Sequence, residues 1–408
     1  MYRATILSSC LACRRETIGA LLDFGMQPVC NRFLSPTANE EYLHPLSLGQ
    51  CSACGVVQII EPVPANSLTP PYGWITYNEP EGHLGQLADA ISSLPEVTKA
   101  SAICGVSFFD KPLLKILAER GFENVRRIDM QEDLGINNPR AGVETIQDRL
   151  DEDAVISIKS KRGASDIVIA SYILEHAHDL QRFLGGLKEL VSPNGYIVIQ
   201  VPDCERVMNR CDYSAIWEEH VFYFTSATLR NSLINSGLRP LYFERVNYKL
   251  EDCLVVILQR DEQSEFSPLD ETVLSAESRR AESFAETFGK HRQRLKRFLD
   301  NRRSSHSPVA LFGAGHRACT FVNLLELGEH LEFIIDDDPH KQGLRMPGSG
   351  LPILQSSALL ERGIKLCLLS LSPESETKVV SRNQAFIDQG GTFLSIYPDS
   401  ERAIEFSG

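Results

Sequence analysis

Cys10-x-x-Cys13 and Cys51-x-x-Cys54 are two CxxC knuckles with 37 residues between them. Zinc takes four soft ligands in a tetrahedron, and two residues between thiolates let one tight turn supply a pair. Gly55, directly after the second knuckle, suits such a turn. Four thiolates leave no open coordination position, so this metal would hold the fold rather than catalyse. Cys30, between the knuckles, reads as a core residue. Two other places suit nucleosides. Gly105 stands where the first turn of a βαβ unit admits close approach of a ligand, and Asp129 ends the next strand, where a carboxylate can hold ribose hydroxyls. A plain βαβ unit fits these two residues equally well. Gly313 and Gly315, followed by Asp336 to Asp338, repeat the pattern near the end of the chain and leave a nicotinamide-dependent enzyme open. Carboxylates also stand beside imidazoles at Glu175-His176 and Glu219-His220. On spacing alone these pairs fit solvated turns or strand edges as well as acid–base chemistry.

The elements around these residues are those of an α/β protein. Short apolar runs (ASAIC, NVRRID, SDIVIAS, GYIVIQVP, LVVILQ) alternate with helical periodicity from about residue 80 to 260, which reads as a mostly parallel sheet. A charged stretch from 261 to about 305 reads as one long helix, and VALFGAG, LEFIID, KLCLLSL and GTFLSIYP start a second alternation. The 408 residues suggest two or three domains. A hydrophobic fraction of 43% and a charged fraction of 23% exclude disordered and collagen-like architectures. The net charge of −13, from 41 basic and 54 acidic residues, excludes a general nucleic-acid binder, which needs a basic footprint. No apolar run reaches the roughly 20 residues that span a bilayer. The start, MYRATILSSCLAC, has no signal-peptide core, and clustered thiols suit a reducing compartment, so a cytoplasmic protein without membrane contact is expected.

The run SDIVIASYILEHAHDLQRFLGGLKELVSPNGYIVIQVPD gives a strand, a polar turn at Glu175 and His176, an amphipathic helix, a Pro-Asn-Gly turn and a second strand. It resembles the later half of class I S-adenosylmethionine-dependent methyltransferases, with Asp166, Ala170, Ser171, Tyr172, Leu174, Glu175 and His176 matching the motif in order. Together with LLDFGMQPVCNRFL between the knuckles, IWEEHVFYFT, and DDDPHKQGLRMPGSGLPIL, the chain resembles the sugar C-methyltransferase family along nearly its whole length.

That resemblance implies a zinc-binding domain at 1–70, a class I methyltransferase domain at 71–262, and a helical linker with a Rossmann-like domain at 263–408. It implies S-adenosylmethionine as cofactor, beside Gly105, Asp129, Ala170, Ser171, Tyr172, Glu175 and His176, and a structural zinc on Cys10, Cys13, Cys51 and Cys54. The implied substrate is a nucleotide-linked keto-deoxysugar, methylated at a carbon next to the ketone, and the implied assembly is a monomer or weak homodimer. His220 matches the family's catalytic histidine and Glu219 its adjacent carboxylate; a mostly neutral imidazole suits removal of a proton α to a carbonyl. Tyr72 or Tyr77, Trp217, Tyr223 and Lys341 fall where the family meets its sugar nucleotide.

The sequence departs from the pattern in three places. The glycine loop is replaced by AICGVSFFDKPLL, with Phe108 and Phe109; the family's tyrosine before Glu-His is Trp217; and its His-Gly-Gly-Ser-Leu-Arg run is missing near YKLEDCLVV. These departures leave open a relative that binds a sugar nucleotide without transferring a methyl group.

Overall fold

The computed structural model describes residues 9–38, 40–75, 79–261, 266–303 and 308–406. Two units divide the chain. One comprises Met1–Leu21, Leu48–Glu205 and Glu219–Arg279; the other comprises Leu22–Ser47, Arg206–Glu218 and Arg280–Gly408.

The first unit carries, in chain order, β1 (Ile18–Pro28) and β2 (Leu43–Cys51), which both extend into the second unit, then β3 (Val57–Ile59), α1 (Leu84–Ser92), β4 (Ala102–Gly105), α2 (Lys111–Glu119), β5 (Asn124–Arg127), α3 (Val143–Arg149) and α4 (Glu152–Arg162). It continues with β6 (Ser165–Ser171), α5 (Leu180–Leu190), β7 (Val191–Asp203), β8 (Phe222–Tyr223), α6 (Ser226–Asn235), β9 (Leu238–Val246) and β10 (Asp252–Arg260). Its main sheet has the order β5-β4-β6-β7-β10-β9. The first four strands are parallel, whereas β10 runs antiparallel to both β7 and β9, so LVVILQ closes the sheet as half of a hairpin.

Strand alternation sorts the core onto two faces. Ile167 and Ile169 of β6 pack with Leu87 and Ile91 of α1 and Leu113 and Leu117 of α2. Val168 and Ala170 point the other way, to Leu180, Phe183, Leu184 and Leu187 of α5. Those four follow the i, i+3, i+4, i+7 spacing of a helix stripe, and burial of each large side chain contributes about 1.5–3 kcal/mol. The Asp179 side chain caps α5 by accepting from Arg182 N. The expected Pro-Asn-Gly turn is instead taken into β7 as a register break: Ser165 pairs with Val191, but Ile167 pairs with Tyr196. Gly195 makes this possible, because a Cβ there would stand 2.6 Å from the Asp166 carbonyl oxygen.

The second unit contains most of α7 (Glu271–Arg303), then β11 (Val309–Phe312), α8 (His316–Leu324), β12 (Phe333–Ile335), β13 (Ile353–Leu354), β14 (Leu366–Leu369), α9 (Pro373–Arg382) and β15 (Thr392–Ser395). Its five strands are all parallel in the order β13-β12-β11-β14-β15, a doubly wound sheet. The expected long helix is α7. No helix among the described residues is long and apolar enough to cross a membrane.

Candidate active site and zinc centre

The four knuckle cysteines converge. Cys10 Sγ lies 3.7 Å from Cys54 Sγ, and Cys13 Sγ lies 3.7 Å from Cys51 Sγ. All four sulfurs fall within 4.8 Å of one another. Thiolates about 2.3 Å from a tetrahedral zinc stand roughly 3.8 Å apart, so the donor set fits that ion. Gly55 turns the second knuckle at φ +73°, with its amide donating to the Cys51 carbonyl at 2.9 Å. A Cβ there would stand 2.8 Å from Leu269 Cδ1, so both backbone and space require glycine. Cys30 is buried; its amide and thiol both donate to the Glu218 carboxylate, at 2.6 and 3.1 Å.

The knuckles are wired to the segment that carries His220. Leu11 N, inside the first knuckle, donates at 2.9 Å to Oε1 of the fully buried Gln58 on β3. Strand β3 pairs antiparallel with β8, and Ile59 N donates to the Val221 carbonyl at 2.9 Å. His220 directly precedes Val221, so the zinc module sets its position through β3. Tyr223, the other aromatic of this segment, lies in β8 opposite Val57 and is buried.

Around His220 the fold gathers three carboxylates and a second imidazole. The His176 ring meets the His220 ring edge-to-face, with centroids 4.8 Å apart. His176 Nδ1 and Glu144 Oε1 are 2.7 Å apart. Ligand atoms of Glu175, His176 and His220 lie within 4.8 Å of one another, and so do those of Glu144, His176 and Glu219. Glu144, Glu175, His176 and Glu219 are all buried. The expected polar turn at Glu175-His176 is thus a buried one, drawn inward by Glu144. Burial alone would lower the His176 pKa, but the Glu144 hydrogen bond and charge, with Glu175 adding, raise it above the ordinary imidazole value. Burial pushes the Glu175 carboxyl up to about 8, although the nearby His176 pulls the other way. Neither Glu175 oxygen has a hydrogen-bond partner among the described residues.

The parallel order reverses between β4 and β6, and in such sheets ligands bind over the carboxyl ends of the strands at that switch. Gly105 ends β4 there. The loop after it is gathered by Asp110, whose Oδ2 accepts from Val106 N at 2.7 Å and Ser107 N at 2.8 Å, while its Oδ1 accepts from Ser171 N at 2.8 Å. The Phe108 and Phe109 rings pack at 4.5 Å, and Phe109 stands edge-on to Tyr172 at 6.0 Å. Ala170 and Ser171 close β6, and Tyr172, at φ +49°, donates its hydroxyl to Cys253 Sγ at 3.3 Å. Asp129 is exposed just after β5, its Oδ1 accepting from Gln131 N and Glu132 N, and those amides hold its pKa below the usual carboxylate range. The exposed Asp129 after β5, and Gly105, where a Cβ would stand 2.8 Å from Asp110 Cβ, lie at the strand ends beside the switch point, so these residues fit S-adenosylmethionine.

A polar chain backs this edge. Gln200 Nε2 donates to Ser171 Oγ at 2.6 Å, which leaves Gln200 Oε1 to accept from His83 Nε2 at 2.5 Å. His83 Nδ1 then accepts from the Tyr248 hydroxyl at 2.7 Å. Burial lowers the His83 pKa, which suits this neutral tautomer. Tyr72 stacks on Trp74, with centroids 5.0 Å apart; Tyr77 lies outside the described residues. In the second unit, Trp217 stacks on His316 at 4.2 Å. Lys341 Nζ donates to Asp336 Oδ2 and to the Ala314 carbonyl, both at 2.9 Å, and Asp336 Oδ2 also accepts from Ala314 N. The strand-end carboxylate and Lys341 therefore brace their own glycine loop.

Asp110, Glu144, Gln200 and Tyr248 were not singled out from the sequence. Ser107-x-x-Asp110 is a capping-box spacing that signals Asp110, since both halves of the box form. Nothing local marks Glu144.

Residues 10–68 match the family described as "Putative zinc binding domain", residues 111–242 the family "Methyltransferase domain", and residues 265–398 the family "C-methyltransferase C-terminal domain". C-methyltransferase NovU of Streptomyces niveus is 22% identical over 409 residues, covering 96% of each chain. The three matches follow one another along the chain in the order the sugar C-methyltransferase resemblance implies. The chain is an S-adenosylmethionine-dependent enzyme with a four-cysteine zinc site. Among solved structures, an O-methyltransferase family protein from Burkholderia thailandensis aligns over 45% of this chain and 58% of its own, at 15% identity and a TM-score of 0.28. The 1,6-didemethyltoxoflavin-N1-methyltransferase from the same organism aligns over 45% and 80%, at 13% identity and a TM-score of 0.29.

Proposed function

We propose that this C-methyltransferase acts on a nucleotide-linked keto-deoxysugar, with His220 as the base that removes the proton α to the ketone. One observation carries the reading: His220 stands against His176 in a buried cluster of carboxylates, at the end of a segment locked by the zinc module. A carbon nucleophile forms only when a neighbouring carbonyl can absorb the charge, so base and ketone must be held together. When bound, S-adenosylmethionine supplies an electrophilic methyl group on a sulfonium. His220 accepts the α-proton, and Glu219, beside it in sequence and buried within 4.8 Å of His176, steadies the resulting imidazolium. Rate enhancement comes from alignment of carbon and methyl group. Asp129 is the acceptor for the methyl donor. The sugar-nucleotide reading is supported by the family's motifs at Trp217 to His220 and at His340 to Gln342, and Tyr72 and Lys341 are its candidate contacts.

The test is turnover of zinc-replete protein with methyl-labelled donor and a panel of nucleotide-linked 4-keto-6-deoxysugars, read by NMR. A new carbon-bound methyl group next to the ketone is expected. Oxygen or nitrogen methylation, or transfer to none of the panel, would overturn the substrate assignment. Domain boundaries near residues 70 and 262 go with this reading and are testable by limited proteolysis.

A further inference from the structure

Methylation at carbon leaves one proton behind in every turnover. The substrate C–H bond breaks and its electron pair ends in the new C–C bond. The methyl group departs its sulfonium without electrons, which leaves a neutral thioether, and the proton remains on His220. The imidazolium, half-buried at His220, must be cleared before the next cycle, and a row of buried acid–base groups adjoins it.

Glu175 lies within 4.8 Å of both imidazoles, and neither of its oxygens has a partner among the described residues. His176 follows, with Nδ1 2.7 Å from Glu144 Oε1. Glu144 is itself buried, yet it lines a cavity of about 100 Å³ with Ala65, Gln147, Asp148, His178 and Arg182. Asp148 and Arg182 on its rim are exposed, so the cavity opens to solvent. Its polar lining and size admit several waters. The carboxylate is held at this junction by a local device: Gly142 precedes α3, and a Cβ there would stand 2.5 Å from Glu144 Oε2. Glu144 thus stands between an imidazole, with Glu219 within 4.8 Å, and a wet cavity.

Resting on the base assignment to His220, we propose that Glu144 is the exit of a proton-release path running from His220 through Glu175 and His176 to water in this cavity. Glu144 acts through His176 and is a relay and positioning residue. Glu219, His178 and Asp148 are the other titratable groups facing this path.

The test is rapid-quench methyl transfer by full-length, zinc-loaded Glu144→Gln at low buffer concentration, followed by titration with imidazole. The expected result is a first turnover close to wild type, about one methyl group per chain, then a steady state slowed roughly tenfold or more. Added imidazole should restore the slow phase, Glu144→Asp should retain it, and donor affinity should be unchanged. Gly142→Ala, which displaces the carboxylate without removing it, should show the same two-phase behaviour, so the test survives if Glu144→Gln does not fold. Phases that slow together, or a slow phase that imidazole does not restore, would overturn the path while leaving the base assignment intact. Wild-type protein that transfers no methyl group would overturn the base assignment itself.

Discussion

Replacing Asp110 tests how the loop after β4 is held. Its carboxylate is fully buried and accepts from three backbone amides, Val106, Ser107 and Ser171, at 2.7–2.8 Å. Burial pushes its pKa up to about 6 against the pull of those amides, so the group is ionised at neutral pH. Val106 N keeps the Ile169 carbonyl at 2.9 Å, so Asp110→Ala orphans two buried donors, Ser107 N and Ser171 N, each at about 1–3 kcal/mol, for a loss of roughly 2–6 kcal/mol. That is comparable to the ~5–15 kcal/mol that holds a typical domain folded. Asp110→Asn keeps an acceptor on one side and turns an NH2 group toward an N–H on the other, for a loss of about 1–3 kcal/mol. For a domain of this size that lowers Tm by about 2–12 °C. Thermal unfolding followed by circular dichroism reads both variants. The expected order is wild type, then Asn, then an Ala variant that fails to accumulate as folded protein. An Ala variant within about 1 kcal/mol of wild type would show that water, not Asp110, satisfies those amides, and the account of the loop would be wrong.

Three further outcomes follow from the same contacts. Cys51→Ser should abolish the bound zinc that wild type carries at one per chain; because β3 positions Val221, methyl transfer should fall with zinc content, and metal analysis beside activity checks both. Glu175→Gln should flatten the pH dependence of stability. The folded-state carboxyl sits near 8, above its usual value of 4.5, so wild type loses stability as pH rises between those limits, by up to about 5 kcal/mol. Thermal melts from pH 5 to 9 compare the two proteins, and parallel curves would contradict the burial of an unpartnered carboxylate. The His176–Glu144 pair adds in the same direction, its contribution being complete below about pH 6.5 and lost as pH climbs past the raised imidazole pKa; Glu144→Gln should remove that component.

The elements were legible because their signals are local. Alternating Ile167, Val168, Ile169 and Ala170 and the stripe Leu180, Phe183, Leu184, Leu187 announce a strand and a helix within a few residues. The knuckles were equally plain, since two thiolates per tight turn is a local geometry. Pro193-Asn194-Gly195 misled, because a turn-forming triplet was absorbed into β7 as a bulge beside Asp166. Site residues joined across long sequence separations were not readable. Glu144 meets His176 from 32 residues away, and His83 meets Gln200 from 117. Such pairs exist only once the sheet has brought its strand ends together. The Phe108-Phe109 loop read as a degraded cofactor turn; its organising residue is Asp110, two backbone segments being gathered by one carboxylate.

The most direct measurement is single-turnover methyl transfer by His220→Asn under saturating donor and keto-sugar nucleotide, with donor affinity measured on the same sample by calorimetry. Lost transfer with donor affinity within a factor of about two of wild type is the predicted result. Transfer at the wild-type rate, or donor binding lost along with activity, would contradict a catalytic base at that position.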